Sequence, residues 1–185
     1  AGLLGIEHAI ALIQSGANVV MTDINMDKLN ISANRVLKAT GINPMIMSLD
    51  VSNQDSIVLS KKELVSKGMA VTILINNAAI DPKVDKDSIV ETSRLENFSV
   101  DDWDFQIKVG LTGAMLCAKV FGTEMANNNG GVIINVASDL SVFGPDQRLY
   151  KKDQISPELQ PVKPVTYSVI KHGLIGLTKY LATYW

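Results

Sequence analysis

Tyr167 and Lys171 stand four residues apart in the stretch "TYSVIKHG". On an α-helix that spacing places both side chains on one face, so they can address the same space. An ammonium held near a phenol favours the phenolate, and a tyrosine so placed can exchange protons near neutral pH. Taken alone the spacing is common, and two surface residues would also satisfy it. Ser138 closes the run "VIINVAS".

The elements that would position these residues follow from the hydrophobic pattern. "IEHAIALIQSG", "MDKLNISANRVLKATG" and "SNQDSIVLSKKELVSKG" carry apolar residues at helical spacing and stop at glycine. Ser52 and Asp55 form a capping-box-like pair at the start of the third, and Ser99 with Asp102 repeats it before the long segment "DDWDFQIKVGLTGAMLCAKVFGTEMA". Short apolar runs, "NVVMTD", "PMIMSLD", "VTILI" and "VIINVAS", read as strands between them. Nearly continuous apolar strands alternating with amphipathic helices predict an α/β, doubly wound parallel sheet covered on both faces. The polar text from Asp81 to Asp102 predicts a solvated loop with at most a short helix, and "KPVTYSVIKHGLIGLTKYLATYW" the last helix.

In such folds ligands gather at the carboxyl ends of strands. "INNAA", residues 75 to 79, and Ser138 both fall there. "AGLLG" precedes a helix, and its small residues let a phosphate approach free backbone amides at the helix start. Asp23 ends the next strand, where an acid accepts from both ribose hydroxyls and repels a 2'-phosphate. This predicts NAD as cofactor in preference to NADP.

The composition narrows the function classes. With 185 residues, 46% of them hydrophobic, the chain suits one domain over residues 1–185. A net charge of -2 without a Lys/Arg cluster argues against nucleic acid as a partner. Cys117 is the only cysteine and lies among apolar residues, which fits a core position and a reducing, cytoplasmic setting. His8 and His172 are far apart, so no metal is expected. No apolar run approaches the roughly 20 residues of a membrane helix, and no signal peptide is expected.

Taken in order, "AGLLG", "TD" at 22–23, "LDV" at 49–51, "INNAA", "IINVAS" and "YSVIK" give a chain that resembles the short-chain dehydrogenase/reductase family over nearly its whole length. The resemblance implies a Rossmann-like fold, with Tyr167 as catalytic acid/base, Lys171 holding the nicotinamide ribose and tuning Tyr167, and Ser138 orienting the substrate oxygen. It further implies that Gly2, Leu4, Gly5 and Asp23 contact the dinucleotide, Asp50 and Val51 the adenine, and Asn77, Ala78 and Ala79 the cofactor, while Asn76 stabilises the sheet.

The departures from the family pattern carry information too. Gly110, in "VGLTG", replaces an asparagine that serves a proton relay, so the relay must differ or use water. Ser138 and Tyr167 are 29 positions apart, farther than in the small single-domain branch, and residues 145–165 read as an insertion forming an active-site wall or an inert loop. Tyr150 is excluded as the catalytic tyrosine, because Gln154 stands where lysine is needed. "SDLSVFG" and the Gly2/Gly5 spacing are similar to the nucleotide-sugar branch, "INNAA" to the smaller branch.

These features point to oxidoreduction of a secondary alcohol or ketone, preferably a carbohydrate or nucleotide-sugar, with a looser similarity to oxidoreductases of bacterial surface-glycan and flagellin-sugar synthesis. The alternatives are an epimerase or dehydratase that recycles bound NAD, and a non-catalytic NAD-sensing protein. A homodimer or homotetramer is expected through the long central and last helices. A first strand and a C-terminal part of the family's pattern are expected beyond both ends of the chain.

Overall fold

The computed structural model describes residues 1–80 and 92–185. Part of the expected Asp81–Asp102 loop therefore lies outside the described residues. The described chain forms two compact units, Ala1–Thr72 and Ile73–Trp185.

The first unit alternates helix and strand: α1 (Leu3–Gln14), β1 (Val20–Asp23), α2 (Met26–Thr40), β2 (Met45–Ser48) and α3 (Gln54–Ser66). β1 and β2 pair in parallel, with Val20 opposite Met45 and Asp23 opposite Ser48. Ile6, Ala9 and Ile13 of α1 share a core with Met21 and with Leu29, Ala33 and Val36 of α2. Those positions recur at helical spacing, which explains why an amphipathic sequence folds here as helix. Gly41 ends α2 in the left-handed conformation at φ 74° and donates its amide to Leu37 O at 2.8 Å.

One cap differs from expectation. Asn53, not Ser52, opens α3, its Oδ1 accepting from the amides of Asp55 and Ser56. Ser52 instead donates its hydroxyl to Asp50 Oδ1 at 2.7 Å, while Asp50 accepts the Ser52 amide with the same oxygen. Asparagine reaches the first-turn amides as well as serine does, and Asp50 captures the hydroxyl one turn earlier.

The second unit holds β3 (Ile73–Asn76) and β4 (Val132–Asn135), paired in parallel with Asn76 opposite Asn135. Between them runs the central helix. It starts as Val100–Ile107 and continues without interruption through π-helical turns at Lys108–Thr112 and Ala118–Gly122 and α-helical segments at Gly113–Cys117 and Thr123–Asn127. Ser99 caps it as expected, accepting from the Asp102 amide at 3.0 Å and donating to the Asp102 carboxylate at 2.9 Å. Asn129 and Gly130 take positive φ, 71° and 88°, and turn the chain into β4. The tyrosine helix (Val165–Tyr184) packs on the central helix and on the Asp139–Ser141 turn that follows β4. Among the described residues no helix is long and apolar enough to cross a membrane.

Candidate active site

A cleft in the second unit is lined by the strand-end residues Asn77, Ala78 and Ala79, by Gln106 and Gly110 of the central helix, and by Lys163, Tyr167 and Lys171. The sequence-predicted pair is therefore brought together with the end of β3. Lys171, only 9% exposed, donates from Nζ to the Val136 carbonyl at 2.5 Å. Its Nζ lies 5.6 Å from the Tyr167 ring centroid. Burial pushes the Lys171 ammonium below the usual lysine range; Tyr167 opposes that shift and Lys163 adds to it.

Several polar contacts fix the frame around this pair. Thr166, fully buried, donates its hydroxyl to Gln106 Oε1 at 2.5 Å, tying the tyrosine helix to the central helix one residue before Tyr167. Asn76 donates to Asn135 Oδ1 at 2.8 Å and to the Ala114 carbonyl at 3.4 Å. Asn135 in turn donates to Thr178 Oγ1 at 2.9 Å. Two strands and two helices are thus joined through amide side chains, at the level where β3 and β4 end.

Gly110 faces Ile170 at close range. A Cβ built there would lie 2.9 Å from Ile170 Cγ2 and 3.0 Å from Cδ1. The volume that a side chain would occupy at position 110 is filled by isoleucine, while Lys171 satisfies its ammonium on a backbone carbonyl.

Ser138 does not line this cleft. Its hydroxyl donates to Asp139 Oδ1 at 2.7 Å and accepts the Leu140 amide at 3.2 Å, and its carbonyl accepts from the Ser141 hydroxyl. The Ser138 hydroxyl and the Leu140 amide hold the Asp139 carboxyl below its ordinary range.

Lys163 and Gln106 escaped the reading of the sequence. Lys163 Nζ sits 3.8 Å above the Tyr167 ring centroid, within cation–π range. It precedes Tyr167 by the same four residues by which Lys171 follows it, a symmetry visible in "KPVTYSVIK". Gln106 carries no such signal, since only the packing of Thr166 against it reveals its place.

The first-unit residues expected at the dinucleotide occupy a strand end and a helix start. Gly2 caps α1 with no side-chain hydrogen bond, and the space its Cβ would take is open. Leu4 and Gly5 lie in the first turn of that helix. Asp23, at the end of β1, accepts from the Asn25 amide at 2.8 Å. Asp50 and Val51 follow β2, Asp50 shaping the turn into α3. Within the first unit, an open helix start and a strand-end carboxylate fit the phosphate and ribose of a dinucleotide.

A family model described as "Enoyl-(Acyl carrier protein) reductase" matches residues 3–154. A short chain dehydrogenase/reductase of Gibberella zeae is 31% identical over 100% of this chain and 61% of its own length. An NAD-dependent glycerol dehydrogenase of Listeria innocua is 27% identical over 98% of this chain and 61% of its own length. Among solved structures, a candidate short-chain alcohol dehydrogenase of Sinorhizobium meliloti 1021 superposes with a TM-score of 0.77 at 27% identity, over 99% of this chain and 62% of the other. The chain thus spans about three-fifths of the length of these relatives. Its alternating strands and helices are a Rossmann-type α/β fold, and the chain belongs to the short-chain dehydrogenase/reductase family.

Proposed function

We propose that the protein is an NAD-dependent oxidoreductase that interconverts a secondary alcohol and a ketone on a small carbohydrate or polyol. The observation that carries this reading is the shared cleft of Tyr167, Lys171 and Asn77–Ala79. When bound, the nicotinamide supplies the hydride acceptor or donor. In the oxidative direction Tyr167 takes the hydroxyl proton as the carbinol carbon loses hydride, and in the reductive direction it returns the proton to the ketone oxygen. Lys171 holds the ribose hydroxyls beside Tyr167.

Ser138 supplies a hydrogen bond to the substrate oxygen, for which its hydroxyl must leave Asp139. Gly2, Leu4, Gly5 and Asp23 serve the dinucleotide, with Asp50 and Val51 at the adenine. The acid at Asp23 selects NAD over NADP, in keeping with the NAD dependence of the Listeria relative. The enzyme works in the cytoplasm as a homodimer or homotetramer on a small molecule.

The test follows absorbance of reduced nicotinamide with the whole protein, NAD or NADP, and a panel of polyols, sugars and nucleotide-sugars. Tyr167→Phe should lower turnover by roughly 100- to 10,000-fold while cofactor binding persists. Equal turnover by the variant would sink the assignment. Product formed with no net cofactor change would move it to a closed redox cycle on bound NAD.

A further inference from the structure

The cleft contains a second cation that the proton chemistry leaves without a task. Lys163 and Lys171 both line it, and no described aspartate or glutamate does. Lys171 donates to the Val136 carbonyl and is assigned to the nicotinamide ribose. Lys163 has no ion pair among the described residues, its one close partner there being the face of Tyr167 at 3.8 Å. Two ammonium groups in one cleft raise each other's cost unless an anion joins them.

The position of Lys163 is built rather than incidental. Its own amide donates to Gln147 Oε1 at 2.8 Å, and the preceding amide, of Val162, donates to Ser93 Oγ at 2.9 Å. Gln160 closes the loop before it, accepting from the Lys152 amide at 2.8 Å and donating to the carbonyls of Lys152 at 2.9 Å and Ile155 at 2.6 Å. Arg94 fastens the same loop through the Pro157 carbonyl at 3.1 Å. The insertion therefore fixes the backbone from which Lys163 enters the cleft, four residues before the proton-transferring tyrosine.

We infer that Lys163 recognises an anionic group on the substrate, a carboxylate or phosphate carried close to the reacting carbinol, so that the preferred substrate is a hydroxy acid or phosphorylated polyol rather than a neutral one. The inference rests on the oxidoreductase reading and deepens it. An ammonium on a flexible stem adapts to either anion as a point charge, which suits a substrate group that approaches over the Tyr167 ring.

The whole protein, wild type beside Lys163→Met and Lys163→Arg, is tested on matched pairs: glycerol against glycerate and glycerol phosphate, and a hexitol against the corresponding aldonate. Turnover is followed with NAD, and binding of glycerate, glycerol phosphate and NAD is measured by calorimetry. Wild type should favour the anionic member, and Lys163→Met should raise its KM and Kd by roughly 10- to 100-fold with the neutral member unchanged. Lys163→Arg should retain most of the preference.

Equal loss on neutral and anionic members would overturn the inference and make Lys163 a positioning residue for Tyr167. Weakened NAD binding without a change in substrate preference would overturn it in favour of a cofactor contact. Lys163-dependent binding of the anions with no turnover of any pair would uphold the anion site and defeat the oxidoreductase reading instead.

Discussion

The ammonium of Lys171 is bound to the carbonyl of Val136, the first residue past β4 and two before Ser138. Burial lowers its pKa from the ordinary 10.5, so the unfolded chain holds that proton more firmly than the folded one. The stability linked to Lys171 is therefore fully present above about 10.5 and falls away as pH drops through the depressed folded value. Relative to Lys171→Met, the wild-type unfolding free energy in urea should gain as pH is raised across that window. A difference that stays flat would show that the ammonium is not desolvated in solution. Turnover should be lost in Lys171→Met at every pH.

Position 110 is closed to a side chain by Ile170. Gly110→Asn should cost about 1–3 kcal/mol through overpacking. The double variant Gly110→Asn/Ile170→Ala should be more stable than the sum of the single effects, because removing the isoleucine branches clears the space. Chemical denaturation of the four proteins gives the coupling directly, and strict additivity would refute the contact.

Asn135 holds Asn76 with its oxygen and Thr178 with its nitrogen. Asn135→Ala strands a donor on one side and an acceptor on the other, for a loss of roughly 1–3 kcal/mol. Urea unfolding should register this as a shifted midpoint with an unchanged slope. A loss smaller than a few tenths of a kcal/mol would mean that water replaces the amide at no cost.

Asp23 should decide the cofactor. Asp23→Ser removes the charge that opposes a 2'-phosphate and the acceptor for the ribose hydroxyls. The ratio of kcat/KM for NAD to that for NADP should fall by roughly tenfold or more. An unchanged ratio would place the selection elsewhere.

Much of this molecule is legible in the order of its residues. The strand end at Asp23, the glycine stop at Gly41 and the Ser99–Asp102 cap emerge where short-range chemistry dictates them. The α3 cap went to Asn53 because two neighbouring residues offered equivalent acceptors and a third, Asp50, broke the tie. Tyr167 and Lys171 could be paired because one helix turn joins them. Lys163 and Gln106 depend on loop closure and helix packing, through Gln147, Gln160 and Thr166, and nothing local announces those partners.

The π-helical turns of the central helix set its phase. Gln106, Gly110, Ala114, Ala118 and Gly122 follow at steps of four, and all five are buried. In an unbroken α-helix each such step overshoots a full turn by roughly 40°, so five residues would fan across nearly half the circumference. The wider turns at Lys108–Thr112 and Ala118–Gly122 take up part of that excess, so that Gln106 and the small residues Gly110, Ala114, Ala118 and Gly122 all stay on the buried side. The helix thus works as a vernier: each wide turn holds one residue more than an α turn, so deleting a single residue inside either would restore the α pitch with the flanking residues close to their present faces, whereas a deletion in the α-helical segment Gly113–Cys117 would swing everything beyond it by about 100°.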